Sequence, residues 1–442
     1  MTNPVESSGV IGGDGPSSPQ TRISMFAPLR IGPFSRLWLG TMTVFLGVMA
    51  QGIARSWLAF DLTGSNAALG GVLMVFGVAM IIATPWGGVA ADRLPKRTVL
   101  LVSIGLLALS SAWIGIVVAL DVVAYWMLLA ASVIQAVAFA LYNPARMAFI
   151  TQLMPPSHVP GAVALMLVNS EVSRVAGPAL AGVVIASLSY GIEAVFLSCA
   201  VLSILGLIAG LGLPRGTRIG SAPPRSPLGE MADGLRYVWR RRELTGLLVC
   251  TGFVVMIGLP YLAFLPGISS TLFDQGSAGY GVLSAVSALG AVIAGLLLGH
   301  LQRLMNPWHL LIASGFLFGI GILVLGIAPS FAVAVAVLVP LGAGLLMFQT
   351  LGQALLMSLS DAGFHGRIQS LVNLSFGAFG IAALPLGWLA DVAGLRVTIA
   401  AMGAGVVLST GVFMLASRGH WRRTVLSAPA ADSSSVPPAE SN

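Results

Sequence analysis

Twelve apolar stretches of membrane-crossing length recur along the 442 residues, at about 36–60, 66–91, 97–119, 124–146, 160–187, 190–213, 243–268, 277–300, 307–328, 331–356, 366–390 and 395–417. A helix needs about 20 apolar residues to cross ~30 Å of hydrocarbon. No water is present there to satisfy bare backbone groups, so runs of this length read as α-helices. The expected fold is an all-α polytopic membrane protein with 12 transmembrane helices. The charge content agrees: 8% of residues are charged and 57% hydrophobic, against about 25% charged in soluble domains. A soluble enzyme is excluded.

The spans fall into two groups of six. Residues 1–33 and 419–442, rich in Gly, Pro, Ser and Ala, are expected to be disordered tails, because they offer too little apolar surface to offset the entropy of ordering. The first tail shows no cleavable signal pattern. Residues 34–213 and 243–418 are the two six-helix bundles, and 214–242, with Pro223, Pro224 and Pro227 ahead of a basic amphipathic helix, is the linker. Of the 22 Lys and Arg, 19 lie in the tails, the linker and the even-numbered loops, Arg396 alone lies in an odd-numbered loop, and Arg55 and Arg174 lie within spans. The positive-inside rule then puts both termini in the cytoplasm. The net charge of +7 is thus a topology signal, and no nucleic-acid partner is expected. Cys199 and Cys250 sit in apolar runs and read as buried thiols. The five histidines lack ligand spacing and no phosphate-binding loop is present, so neither metal nor cofactor is expected.

The loop after the second span carries Gly88, Asp92, Arg93, Pro95, Lys96 and Arg97. Basic residues alone satisfy an inward loop; the carboxylate is extra, and suits a contact with a helix dipole or an Arg. The loop resembles the signature GxxxDRxGRR of the major facilitator superfamily, with Pro95 and Lys96 as departures. The resemblance implies two pseudo-symmetric six-helix bundles, the major facilitator fold. It also implies that Gly88, Asp92, Arg93, Lys96 and Arg97 form a cytoplasmic gate. The eighth loop, Gly299 to Arg303, lacks the acid.

The fifth span holds Asn169, Ser170, Glu171, Ser173, Arg174, Gly177, Pro178 and Gly182. Counting ~1.5 Å per residue from Pro160 puts Glu171 ~16 Å and Arg174 ~21 Å deep, near the midplane of a ~30 Å core. At i, i+3 the two share a helix face and are expected to pair. The pair is either a static brace or a switch in which protonation of Glu171 releases Arg174. Ser170, Ser173, Gly177 and Ala181 make a stripe of small residues on which another helix can approach closely. Gly177, Pro178 and Gly182 resemble the fifth-helix motif of drug:proton antiporters, although the second Gly comes one residue late and the fourth span lacks that group's Arg. Arg55, ~28 Å up the first span, either snorkels to the outer interface or joins Glu171 and Arg174 as a proton-coupling group facing the cavity.

Two further segments narrow the resemblance. Tyr142-Asn143-Pro144-Ala145-Arg146 with Leu153-Met154-Pro155, and Gly234 to Arg242 ahead of the seventh span, are similar to the subgroup containing enterobactin exporters and related secretion effectors. That implies a proton-coupled exporter, an antiporter, of an amphipathic or hydrophobic drug- or siderophore-like molecule. It would work as a monomer in the bacterial cytoplasmic membrane, its partners being substrate, protons and lipid. Gln51, Gln135, Asn169, Gln349 and Asn373 are the expected polar groups of the substrate cavity. A weak duplication, Leu167 to Asn169 against Leu371 to Asn373, fits two halves around a midplane site. The alternatives are an importer or lipid flippase of the same fold, and a non-transporting sensor or assembly factor acting through the linker.

Overall fold

The computed structural model describes residues 27–155, 158–186, 191–214, 227–361 and 365–426, which are helical apart from short turns. The first half comprises α1 (Gly32–Thr63), α2 (Asn66–Arg93), α3 (Lys96–Ala119), α4 (Tyr125–Leu153), α5 (Val159–Ala186) and α6 (Ile192–Leu211). The linker helix is α7 (Pro227–Trp239). The second half comprises α8 (Arg242–Gly258) and α9 (Tyr261–Gly267), which share one span, then α10 (Gly276–Leu304), α11 (Pro307–Ile327), α12 (Phe331–Ser358), α13 (His365–Ala393) and α14 (Leu395–Leu426). Ten of the described stretches are long and apolar enough to cross a membrane. With α5 and α13 they make the twelve expected spans.

Local chemistry sets the breaks. α1 ends at Gly64, whose φ of 63° is left-handed, with its N–H on the Phe60 carbonyl. The next residue, Ser65, caps α2 through its hydroxyl. Pro260 has no N–H to continue the ladder, so the seventh span is broken there and finishes as α9 and a π-turn at Ile268–Leu272. The sequence reading has one unbroken helix at this point. α4 differs the other way: it passes through Pro144 and continues to Leu153. Arg146, assigned by sequence to a loop, therefore lies inside a helix.

Within the halves, α1 packs on α5 and α6, α2 on α4, and α3 on α4 and α6. In the second half α10 packs on α12, α11 on α12 and α14, and α8 on α13 and α14. Two seams join the halves, α2 with α13 and α5 with α10. The second span of each half thus lies on the fifth span of the other, as an approximate two-fold requires. The even number of spans puts both chain ends and α7 at one end of the molecule, called the linker end; the opposite is the far end.

One buried apolar cluster runs through the second half and into the far end of the first, where Ile53, Leu58, Leu69 and Phe196 join Tyr261, Phe264 and Tyr280. A second cluster, including Phe34, Phe45, Tyr142, Phe149 and Met166, belongs to the linker end of the first half alone. Among the described residues the apolar core is therefore continuous between the halves at the far end, while the cluster at the linker end draws on the first half. Outward-facing side chains such as Leu296 (80% exposed) and Leu408 (69%) are also apolar, a surface suited to lipid tails and not to water.

α7 is strapped to the second half. Arg241 Nη2 and the Tyr237 hydroxyl each donate to Asp361 Oδ2 over 2.9 Å, and the Arg241 guanidinium lies 4.8 Å from the Tyr237 ring centre. Arg241 and Asp361 are exposed, so the ion pair contributes under about 1 kcal/mol. Asp361→Ala is expected to leave thermal stability nearly unchanged while accelerating tryptic cleavage at Arg236, Arg240 and Arg241, as limited proteolysis would measure.

Candidate functional site: a bridged cavity between the halves

At mid-depth a polar bridge joins the halves. Arg174 lies 15 residues, about 22 Å, into α5, and its Nη1 donates to Gln349 Oε1 of α12 over 2.8 Å. Beside the bridge is a cavity of about 40 Å³ with Thr251 and Val255 of α8, Phe348 and Gln353 of α12 and Val372 of α13 in its walls. A water molecule needs about 10–15 Å³ of such space and organic ligands several hundred, so in this conformation the cavity has room for a few waters and no substrate. One cation, two amides and a hydroxyl in an apolar wall can orient a ligand by one or two polar groups and hold the rest by contact area. Glu171 lies one turn before Arg174 on α5; its side chain falls outside the described residues, as does that of Asn373.

Arg55 neither snorkels nor shares a hydrogen bond with Arg174. It is 4% exposed inside the first half, where Nη1 donates to Ser132 Oγ (3.1 Å) and Nη2 to Gln51 Oε1 (3.2 Å). Gln51 is the hub: Oε1 also accepts from Gln135 Nε2 (2.9 Å), and Nε2 donates to Ser111 Oγ (2.9 Å). Gln51 and Ser132 thus hold a buried guanidinium among α1, α3 and α4, with Gln135 bonded to Gln51 behind them, instead of meeting the bridge. Asn169 is also taken, its Nδ2 donating to the Trp38 carbonyl and pinning α5 to α1. Of the expected cavity groups whose side chains are described, Gln349 is the one that lies beside Arg174.

At the linker end, the side chains of Gly88, Asp92 and Arg93 fall outside the described residues. Lys96 is buried. Arg97 donates to the Leu211 carbonyl at the end of α6, and Arg36 to the neighbouring Gly212 carbonyl. The Arg97 bond fastens helices of its own half, not the two halves expected of a gate. The fifth-helix motif divides its contacts: a Cβ on Gly177 would stand 2.6 Å from Met49 Cβ of α1, and one on Gly182 would stand 2.8 Å from the Gly281 carbonyl oxygen of α10. Pro178 lies between them, inside α5. The motif is where α5 approaches both its own half and the other.

The sequence profile of a family described as transmembrane secretion effector matches residues 23–431. The chain belongs to the transmembrane secretion effector family. This secretion effector is accordingly a membrane transporter and not an enzyme. It is 22% identical to the staphyloferrin A transporter of Staphylococcus aureus, over 85% of this chain and 94% of that one. It is 23% identical to macrolide efflux protein A of Streptococcus pyogenes, over 80% and 87%, and 24% identical to the multidrug efflux pump Tap of Mycolicibacterium fortuitum, over 85% and 94%. Its fold is shared with a bacterial homologue of the human lysosomal transporter Spinster in an inward-facing, unoccupied conformation (TM-score 0.69, 16% identity, 89% of this chain and 98% of that one). The nucleoside transporter NupG shares it as well (TM-score 0.67, 12% identity, 87% and 99%).

Two groups in this secretion effector escape sequence reasoning. Arg146, 5% exposed, lies 4.3 Å from the Phe45 ring centre, and its Nη2 donates to Ser170 Oγ over 3.3 Å. The signal was there, in the Pro144 to Arg146 fingerprint, but the expected fourth span ends at about residue 146, which leaves Arg146 in a loop. Asp391, near the end of α13, accepts hydrogen bonds from the first turn of α2, a contact no local pattern announces.

Proposed function

We propose that the chain exports an amphipathic or hydrophobic organic molecule, drug- or siderophore-like, against an inward flow of protons by alternating access, from the bacterial cytoplasmic membrane. The Arg174–Gln349 bridge carries this reading: it ties the halves together at mid-depth, one helical turn from the single midplane carboxylate of the sequence. A proton taken up by the Glu171 carboxylate gives a neutral acid. That removes the anion nearest Arg174 along α5 and alters what the guanidinium binds, including Gln349 across the seam. Each cycle then exchanges a proton for a substrate molecule, the proton leaving Glu171 on the cytoplasmic side. The names of the relatives, all exporters or transporters of small molecules, support the substrate class, and the apolar wall with few polar groups suits it. The Lys and Arg bias puts the linker end in the cytoplasm, so the far end, where the core is continuous, faces outward and the conformation is closed to the outside.

The test begins with cells with and without the chain, screened for efflux of dyes, macrolides and siderophores. The responding compound is then used in proteoliposomes. An imposed pH gradient is expected to drive its accumulation, and Glu171→Gln is expected to abolish that drive while substrate exchange without a gradient persists. Equal gradient-driven accumulation by the Gln variant would overturn the role of Glu171. No flux of any compound under any gradient would overturn transport itself.

A further inference from the structure

At the far end, the last turn of α13 reaches the first turn of α2 in the other half. Ser65 Oγ donates to Asp391 Oδ2 (2.6 Å), and so does the Ala67 backbone N–H (2.9 Å). Asn66 donates to Oδ1 twice, from its backbone N–H and from Nδ2, both over 2.9 Å. Each carboxylate oxygen thus takes two hydrogen bonds. Two of the four come from N–H groups that a helix start leaves without intrahelical partners, at the positive end of its dipole. α2 is therefore capped twice, by its own Ser65 and by an acid 325 residues away.

Directly below this contact the two backbones touch. A Cβ on Gly387 would lie 2.3 Å from the Asn66 carbonyl oxygen, and one on Gly70 would lie 2.3 Å from that of Ala383. No side chain separates the helices there, so they cannot slide past bulk; they stay in contact or part as a unit. Tyr280 of α10 adds a second tie across the halves nearby, its hydroxyl donating to the Ile53 carbonyl over 2.8 Å, with its ring stacked on Trp57 at 5.6 Å.

We propose that Asp391 is the far-end latch of the transport cycle: its carboxylate holds α13 on the start of α2, and opening of the far end requires these four hydrogen bonds to break together. The latch rests on rocking of the two halves but not on the identity of the substrate or on Glu171. Its loss shifts the equilibrium toward the far-end-open state, because water replaces four aligned donors less well than the ion does.

Double electron–electron resonance on the full chain tests this. One spin-label pair spans the far end, on cysteines introduced at Leu120 and Pro329; a second spans the linker end, at Thr98 and Leu304. All four positions are exposed, and the two native cysteines are buried. In wild type the short far-end distance is expected to dominate. Asp391→Asn, which turns one acceptor into a donor facing donors, is expected to raise the long-distance population roughly tenfold or more and to shorten the linker-end distance in parallel. Ser65→Ala, which removes one bond to the carboxylate together with the hydroxyl cap on the Ala68 N–H, is expected to give a smaller shift in the same direction, and it carries the test if the Asn variant fails to fold. Unchanged distances in both variants would overturn the latch. So would a far-end lengthening with no linker-end change, which is the signature of a frayed helix end. If Glu171→Gln leaves gradient-driven transport intact while these distances shift, the latch stands and the proton reading falls.

Discussion

Gln51→Leu is expected to destabilise the protein by about 3–5 kcal/mol, while Arg55→Met costs far less and the double variant recovers most of the loss. The order looks inverted, since Arg55 is the charged residue, but it follows from burial. The guanidinium is held by neutral oxygens of Gln51 and Ser132, and its Nε has no partner among the described residues. Removing Gln51 strips an acceptor from a cation that water cannot reach, takes the acceptor from Gln135 Nε2 and takes from Ser111 the donor its hydroxyl accepts. Breaking a buried charged contact from one side costs about this much, whereas replacing the ion by an apolar side chain of similar volume is often neutral. Thermal unfolding of detergent-purified variants measures the order. If Arg55→Met were the worst of the three, the guanidinium itself would be a net stabiliser and the desolvation argument would fail.

A still larger effect is expected at Gly342. α10 and α12 cross so closely that a Cβ on Gly342 would stand 2.0 Å from the Ser287 carbonyl oxygen, and one on Gly290 would stand 2.0 Å from that of Val339. The two glycines serve one crossing, so neither helix can yield without moving the other. Gly342→Ala gains up to about 1 kcal/mol of helix propensity but loses more than that as the helices are forced apart. Gly342→Leu is expected to abolish the folded, monodisperse peak in size-exclusion chromatography. Gly105→Ala is the control: in α3, with nothing within 4 Å of the added Cβ, it keeps the propensity gain alone and is expected to be neutral or stabilising. Equal behaviour of the Ala variants at 342 and 105 would contradict this crossing geometry.

These sites mark how far the sequence could be read. The spans were legible because lipid forces long apolar runs, and Ser65 and Gly64 punctuate α1 and α2 as their chemistry dictates. The two prolines differ in a way that local sequence does not show: Pro144 sits within α4, whereas Pro260 breaks the seventh span. In a bundle, neighbouring helices decide whether the freed carbonyl is satisfied, and neighbours cannot be read from local sequence. Arg55 was legible as a charge at cost, but depth along a helix says nothing of which way the side chain turns, and Ser111 and Ser132 resemble any other serine of an apolar helix. Arg174 was picked out for its depth, yet its partner Gln349 lies 175 residues on. Asp391 was invisible as a functional group because its meaning comes from the cross-half seam, not from its own helix.

The Arg55 network also sets an order of events during synthesis. Gln51 emerges 60 residues before Ser111, and Arg55 emerges 77 residues before Ser132. At about 5–20 residues per second the second interval lasts roughly 4–15 s. Throughout it α1 carries an ionised guanidinium whose one ready acceptor is Gln51, a single turn away. A lone helix in that condition rides high, with the charge among headgroups. It reaches its final depth only once α3 and α4 bring their hydroxyls and amide. The first span is therefore expected to settle at its final depth only after the later ones arrive, having first sat in a register the finished protein does not keep.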